Sequence, residues 1–227
     1  MAIVKKYSAE VTEIRNPLPD IFTVTFVSDK KFSFLSGQFL HLALDEYDPS
    51  MHWPESRCFS MQSKPGNNHL EITFAIKGNF THRMATEIKV GKKVWLKLPF
   101  GDIFQRGHEK TNCVFISGGT GITPFLSLFA DSGFSEYIKP ILYAGFRNIE
   151  YNIFNKELEL AKNSNSQFEI NIIYQNRSGI LDIEKIYNNC KEKNYFISGP
   201  PLMIKSFKKF LLGKNILESK IITDDWE

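Results

Sequence analysis

The 227-residue sequence predicts two domains in tandem: an N-terminal antiparallel β-barrel, then an α/β domain built on a parallel sheet. Three observations predict this. Short stretches of period-two alternation fill the first hundred positions. After about residue 110, strand-like and helix-like segments alternate strictly, the pattern of a parallel sheet covered on both faces. A polar stretch, Gln105-Arg-Gly-His-Glu-Lys, lies where the rhythm changes, which places the domains at 1–107 and 108–227.

In the first half, residues 21–27 (Ile-Phe-Thr-Val-Thr-Phe-Val), 37–44, 70–76 and 93–98 read as strands separated by turn residues. Only Thr81 to Ile88 reads as a helix, and short strands at this spacing suggest a small barrel. In the second half, Cys113-Val-Phe-Ile-Ser is a buried-type strand, and Ser117-Gly-Gly-Thr-Gly opens a helix over 123–129. Strands follow at 140–144, 168–174, 195–198 and 220–222, with helices at 153–161, 182–190 and 202–212 between them.

Composition narrows the function classes. The chain is 42% hydrophobic and 23% charged, as an ordinary globular protein is. A net charge of +3 does not argue for nucleic acid, although the excess falls in the first half, with 14 basic and 11 acidic residues up to residue 107. No apolar stretch reaches the roughly 18 residues that span a bilayer, and the start of the chain has no signal-peptide core, so a cytoplasmic location is expected. Cys58, Cys113 and Cys190 are three scattered thiols, fewer than the four that a cysteine-ligated [2Fe–2S] cluster needs. No Cys or His pair has structural-zinc spacing, so no metal site is expected. The five histidines (His41, His52, His69, His82 and His108) are dispersed, and no Ser-His-Asp or paired-carboxylate pattern supports a hydrolase.

Four motifs carry the chemistry. Ser117-Gly-Gly-Thr-Gly-Ile-Thr-Pro124 joins a buried strand to a helix, where glycines let the backbone approach a pyrophosphate and free N–H groups meet it. Pro124 stands where the common fingerprint has its third glycine, and Pro is tolerated at a helix start. A plain tight βα turn is the alternative. The next strand ends at Arg147, where NAD-specific domains usually place an acid, and Arg177 follows the third strand. Two arginines there suit a 2′-phosphate and favour NADPH over NADH, unless both are ordinary surface residues. Ile197-Ser-Gly-Pro-Pro-Leu-Met203 is a second strand-to-helix turn, at the sheet edge where ligands of open α/β sheets bind. In the first half, Arg57-Cys-Phe-Ser60 offers a bidentate phosphate clamp, an aromatic ring and a hydroxyl. Lys77-Gly-Asn-Phe-Thr81 offers N–H groups at a helix start, with Thr81 as the N-cap. Taken alone, these first-half residues read as an ordinary strand end and helix start rather than as a binding site.

In order, Arg-x-aromatic-Ser, Gly-x-x-Thr, Pro-Phe-Gly, Gly-Gly-x-Gly-x-x-Pro and Gly-Pro-Pro-x-Met resemble the ferredoxin–NADP reductase superfamily. The likeness is greatest to its short, stand-alone flavin reductase and oxidoreductase members, and it runs from about Tyr7 to Trp226. The resemblance implies an FAD-binding barrel and a Rossmann-like NAD(P)-binding domain. It assigns Arg57 to the FAD pyrophosphate, Phe59 to the flavin or ribityl region and Ser60 to flavin N5. Phe74 and Ile76 are assigned to the strand flanking the cofactor, and Gly78, Asn79, Phe80 and Thr81 to the other side of the pyrophosphate. Gly119, Thr120, Gly121 and Pro124 are assigned to the nicotinamide nucleotide, Arg147 and Arg177 to its adenosine end, and Gly199, Pro200 and Met203 to the neighbourhood of the nicotinamide. Three positions depart from the pattern. Phe59 replaces a Tyr, Ser198 replaces the cysteine of plant-type reductases, and Trp226 stands where some members cover the flavin with a terminal aromatic, a frayed tail being the alternative.

The implied activity is hydride transfer from nicotinamide C4 to flavin N5, with Ser60 and Ser198 as the candidate catalytic residues. The acceptor is either a small molecule or a separate redox protein. The rival expectations are a reductase component of a multi-protein complex and a non-catalytic FAD-binding redox module.

Overall fold

The computed structural model describes residues 3–224, which form two compact units dividing between Gly101 and Asp102. Among these residues, no helix is long and apolar enough to cross a membrane, and no group of three or more His, Cys, Asp or Glu side chains could hold a metal.

The first unit contains β1 (Lys5–Leu18), β2 (Ile21–Val27), β3 (Phe39–Ala43), β4 (Ser56–Ser60), β5 (His69–Ala75), α1 (Asn79–Glu87) and β6 (Lys93–Phe100). The strands form one antiparallel sheet in the order β4-β3-β6-β1-β2-β5, curled into a half-barrel. Alternation decides which side chains face in. Tyr7, Ala9 and Val11 of β1 are buried while Ser8, Glu10 and Thr12 are exposed, and the register sets Tyr7 opposite Leu96 and Ala9 opposite Val94. Leu40, Leu42, Leu70, Ile72, Leu96 and Leu98 complete the core, and burial of each is worth about 1.5–3 kcal/mol.

β1 and β4 have no counterpart among the strands expected from the sequence. β1 carries so many charged and small residues that its alternation is weak. β4 is held mainly by its pairing to β3, from Phe39 opposite Ser60 to Ala43 opposite Ser56. Near the two edge strands a polar chain runs through the unit. The Thr23 hydroxyl lies 2.8 Å from that of Thr73, which donates to Gln62 Oε1 at 2.6 Å. Gln62 Nε2 donates to Glu71 Oε1 at 2.6 Å, and Glu71 Oε2 accepts from Arg15 at 2.7 Å. Thr23, Gln62 and Thr73 are buried, so each needs such a partner.

The second unit contains β7 (Cys113–Gly118), α2 (Thr123–Phe129), β8 (Ile141–Phe146), α3 (Asn155–Ser164), β9 (Glu169–Tyr174), α4 (Gln175–Ser178), α5 (Ile183–Asn189), β10 (Asn194–Ser198), α6 (Pro201–Gly213) and β11 (Ile221–Thr223). The sheet order is β11-β10-β7-β8-β9, all parallel. β7 is buried from Cys113 to Ser117 because its residues feed two cores in turn. Cys113 and Phe115 pack with Phe125, Phe129 and Phe134 on one face, and Val114 and Ile116 pack with Ile204, Phe207 and Leu211 on the other. The chain builds outward from β7 through β8 to β9, then returns to place β10 on the other side of β7. That reversal makes a switch point between the carboxyl ends of β7 and β10.

Residues 102–107 go with this unit. Ile103 is 2% exposed, and the Phe104 ring lies 5.3 Å from that of Phe196 and 6.1 Å from that of Phe125. This apolar pair, just before the polar linker, packs into the second core.

Candidate functional site

In the first unit the candidate residues gather at one end of the half-barrel. Arg57 shares the inward-facing row of β4 with Phe59, its backbone partner being Leu42. Its guanidinium lies over the Phe80 ring, 5.3 Å from the centroid, and so stands at the first turn of α1. Arg57 also donates to the Ser56 carbonyl and to Glu55 Oε1, both at 2.9 Å.

The start of α1 corrects one expectation. The N-cap is Gly78, and Thr81 is the third helical residue. The Thr81 hydroxyl accepts from the backbone N–H groups of Lys77 and Gly78, at 2.9 and 3.1 Å, and donates to the Gly78 carbonyl at 3.0 Å. It therefore folds the entry loop back onto the helix, while the N–H groups of Asn79, Phe80 and Thr81 keep the orphan status of a first helical turn. A β-carbon added to Gly78 would meet nothing within 4 Å, so the space above this turn is open. An arginine fork beside a helix start with open space over its glycine fits a diphosphate.

The remaining first-unit residues are less exposed. Phe59 and Phe74 are 8% and 3% exposed, their rings 6.0 Å apart and edge-on, so both act mainly as core. Ile76 follows β5 and donates its N–H to Asp20. Ser60, 5% exposed, closes β4, and its hydroxyl has no hydrogen bond among the described residues.

In the second unit the two glycine motifs meet at the switch point. A β-carbon on Gly121 would lie 2.6 Å from the Gly199 nitrogen and 2.8 Å from the Ser198 carbonyl carbon. One on Gly118 would lie 2.9 Å from Pro200 Cδ and 3.1 Å from Met203 Sδ. Turns nearly eighty residues apart in sequence thus form one backbone-lined surface, with Met203 beneath it. Gly119 has φ +56° and open space beyond its α-carbon, so a backbone N–H can face a ligand there. Thr120 is half-buried, and its carbonyl accepts from the Thr123 hydroxyl. Pro124 is fully enclosed in α2 and supports the turn from behind.

Arg147 and Arg177 sit at the carboxyl ends of neighbouring strands, β8 and β9. The Asn176 N–H donates to the Arg147 carbonyl at 3.1 Å, which brings the two arginines together. Each is exposed and lies over a tyrosine: Arg147 over Tyr151 at 5.1 Å, Arg177 over Tyr174 at 5.7 Å. Trp226 lies outside the described residues.

Asp224, Ser117 and Glu55 lie near these regions and are not among the sequence-based candidates. Ser198, 3% exposed, donates its hydroxyl to Asp224 Oδ2 at 3.0 Å, and the Asp224 N–H donates to the Ile197 carbonyl. Opposite Ser198 on β7 is Ser117, fully buried, whose hydroxyl has no partner among the described residues. The third, Glu55, holds Arg57. Ser117 was visible as the first letter of its glycine motif, whereas nothing in the local sequence marks Asp224 or Glu55.

No family model matches the chain. It is 24% identical to the flavohemoprotein of Rhizobium meliloti (strain 1021) over 91% of its own length and 57% of that protein. It is 25% identical to the phenol hydroxylase P5 protein of Acinetobacter pittii (strain PHEA-2), over 98% of this chain and 66% of the relative. The chain thus spans less than two thirds of the length of these curated relatives. Among solved structures, a ferredoxin NADP+ reductase from Neisseria gonorrhoeae with bound FAD and NADP superposes with a TM-score of 0.78 at 19% identity, covering 98% of each chain. The element order, the half-barrel, the five-stranded parallel sheet and this end-to-end superposition lead to one conclusion: the chain has the two-domain fold of that ferredoxin NADP+ reductase.

Proposed function

We propose that the protein is an NAD(P)H-dependent flavoenzyme: the first unit holds FAD, the second holds the nicotinamide nucleotide, and the electrons leave for a separate acceptor. The observation that carries it is the same in both units, the meeting of motifs far apart in sequence. Arg57 lies over Phe80 at the start of α1, and Gly121 lies against Gly199 at the switch point.

When bound, FAD would supply the two-electron, hydride-accepting chemistry for a nicotinamide donor. The chain's own residues do the rest. Arg57 and the N–H groups of Asn79 to Thr81 bind the diphosphate, and Gly119 and Gly121 admit the second nucleotide's phosphates to the backbone. Ser60 offers a hydroxyl to N5, and Phe59 and Phe74 keep the barrel end dry. The Asp224 carboxylate fixes the direction of the Ser198 hydroxyl, which makes Ser198 a positioning group for the nicotinamide side. Arg147 and Arg177 favour NADPH, since two guanidinium groups at adjacent strand ends match a 2′-phosphate.

A second reading makes the chain the reductase part of a multi-component oxygenase. The names of its relatives favour it: phenol hydroxylase P5 protein, methane monooxygenase component C, and the electron transfer component of anthranilate 1,2-dioxygenase. Both readings place the protein in the cytoplasm, with a small molecule or a redox protein as acceptor.

The test is the visible spectrum of the purified protein before and after anaerobic NADPH, then NADH. Flavin bands near ~450 nm that bleach with one nucleotide support the proposal and identify the donor. A colourless protein that takes up no added FAD would sink it. Dye reduction that needs no partner protein supports the stand-alone reading, and activity only with an added oxygenase component supports the second.

A further inference from the structure

Arg57 does not stand alone at the start of α1. Its Nη2 is paired with Glu55 Oε1 at 2.9 Å, two residues earlier on the same strand end. The other Glu55 oxygen lies 3.9 Å from Arg83 Nη1. Arg83, on α1, donates to Asp45 Oδ1 at 2.7 Å and to Glu87 Oε1 at 2.8 Å, and Glu87 is shared with Lys92 at 3.1 Å. Three acids and three bases therefore form one continuous chain of charge, Arg57–Glu55–Arg83–Asp45/Glu87–Lys92. Hydrogen bonding to Arg83 holds the Asp45 carboxyl below its ordinary range.

From this geometry we propose that Glu55 sets how tightly the first unit holds a diphosphate. It does so by competing for the Arg57 fork, and Arg83 is the alternate partner that takes Glu55 when the anion arrives. The inference rests on the assignment of Arg57 to FAD and adds two residues that govern its affinity. Glu55 holds an N–H of Nη2 and the Ser56 carbonyl one of Nη1, so a diphosphate that approaches the Nη1–Nη2 fork meets the Glu55 carboxylate at one of its two nitrogens. Glu55 sits within reach of both arginines, so moving to Arg83 leaves no charge unpaired. Side chains of Arg57 and Glu55 are 54% and 52% exposed, so the exchange costs little desolvation and is screened by salt.

The two residues then act in opposite directions. Glu55→Gln removes the competitor and should lower the FAD dissociation constant about two- to five-fold at low ionic strength, the range of an exposed ion pair. Arg83→Gln strands Glu55 on Arg57 and should raise the constant by a similar factor. The double variant should return to the value of Glu55→Gln, because without the Glu55 carboxylate there is nothing for Arg83 to draw away from Arg57. All three differences should shrink in 1 M salt.

The experiment is a titration of the flavin-free full chain with FAD, followed by flavin fluorescence, on wild type, these three variants and Arg57→Ala. Circular dichroism establishes that each is folded. Opposite shifts for the two single variants with recovery in the double support the proposal. An unchanged or weakened affinity in Glu55→Gln, while wild type binds FAD and Arg57→Ala does not, overturns it and leaves the FAD assignment standing. If wild type takes up no FAD, or Arg57→Ala binds as well as wild type, the FAD assignment itself falls and the inference with it.

Discussion

In the first unit the groups proposed to meet a ligand include two side chains, Arg57 and Ser60, beside the backbone turn that Thr81 braces. In the second the groups proposed to meet the phosphates are backbone atoms, at turns where Gly119, Gly121 and Gly199 carry no side chain. The difference teaches how each half can fail. A side-chain site is tuned by charge, salt and neighbouring acids, and losing one group weakens it in steps. A backbone site made by two turns in contact has no intermediate setting. A carbon added at Gly121 or Gly199 forces one strand end away from the other, and folding and binding suffer together.

The largest expected effect tests that claim. Gly121→Ala puts a β-carbon against the Gly199 backbone, which cannot rotate away, and should destabilise the second unit by roughly 3 kcal/mol, the upper range for overpacking. Chemical denaturation and nucleotide titration should show both losses in the same variant. Arg57→Ala should behave otherwise, weakening FAD about 10- to 100-fold, as for a charge-assisted hydrogen bond, with the unfolding midpoint of the flavin-free protein nearly unchanged. If the two variants proved equally destabilising without cofactor, the contrast between side-chain and backbone recognition would be wrong.

Next comes the polar chain of the half-barrel. Thr73→Val removes the donor to Gln62 Oε1 and a partner of Thr23, both buried, and should cost about 1–3 kcal/mol in urea unfolding. An effect near zero would mean that water replaces the lost hydroxyl.

The smallest effect is a pH dependence of the first unit. Burial, then the positive charge of Lys97, holds the His41 pKa below its ordinary 6.5. As pH falls through 6.5, the unfolded chain takes up a proton that the folded chain resists, so stability drops toward acid. His41→Gln should flatten the fall in thermal midpoint between pH 7.5 and 5.5. In the second unit burial pushes the Cys113 thiol up to about 12, and desolvation with the Cys190 contact pushes Tyr143 up to about 12. Both stay neutral in that window and contribute no slope.

Much of this molecule was legible in its sequence. Alternation over 21–27 and 93–98 placed β2 and β6, and the strict strand–helix rhythm after residue 110 foretold a parallel sheet, because both follow from which faces must be buried. Local chemistry also showed through. Glycine-bearing turns after buried strands marked both walls of the switch point, since few other residues allow backbone to approach backbone so closely.

Where the signal was not local, the sequence was silent or misleading. β1 hides its alternation behind lysine and glutamate, and β4 is a strand because β3 offers it a ladder. Thr81 looks like an N-cap by type, yet it is the third helical residue and braces the turn from inside. Residues 102–107 are polar on average, but Ile103 and Phe104 decide where they pack. The sequence by itself determined the fold class, the order of elements and the types of residue available to each site. Only the tertiary structure decided which of them meet: Arg57 with Phe80 and Glu55, Gly121 with Gly199, Ser198 with Asp224. Periodicity records burial along one element, whereas these meetings depend on where separate elements end in space, and composition or spacing within a single element does not encode that.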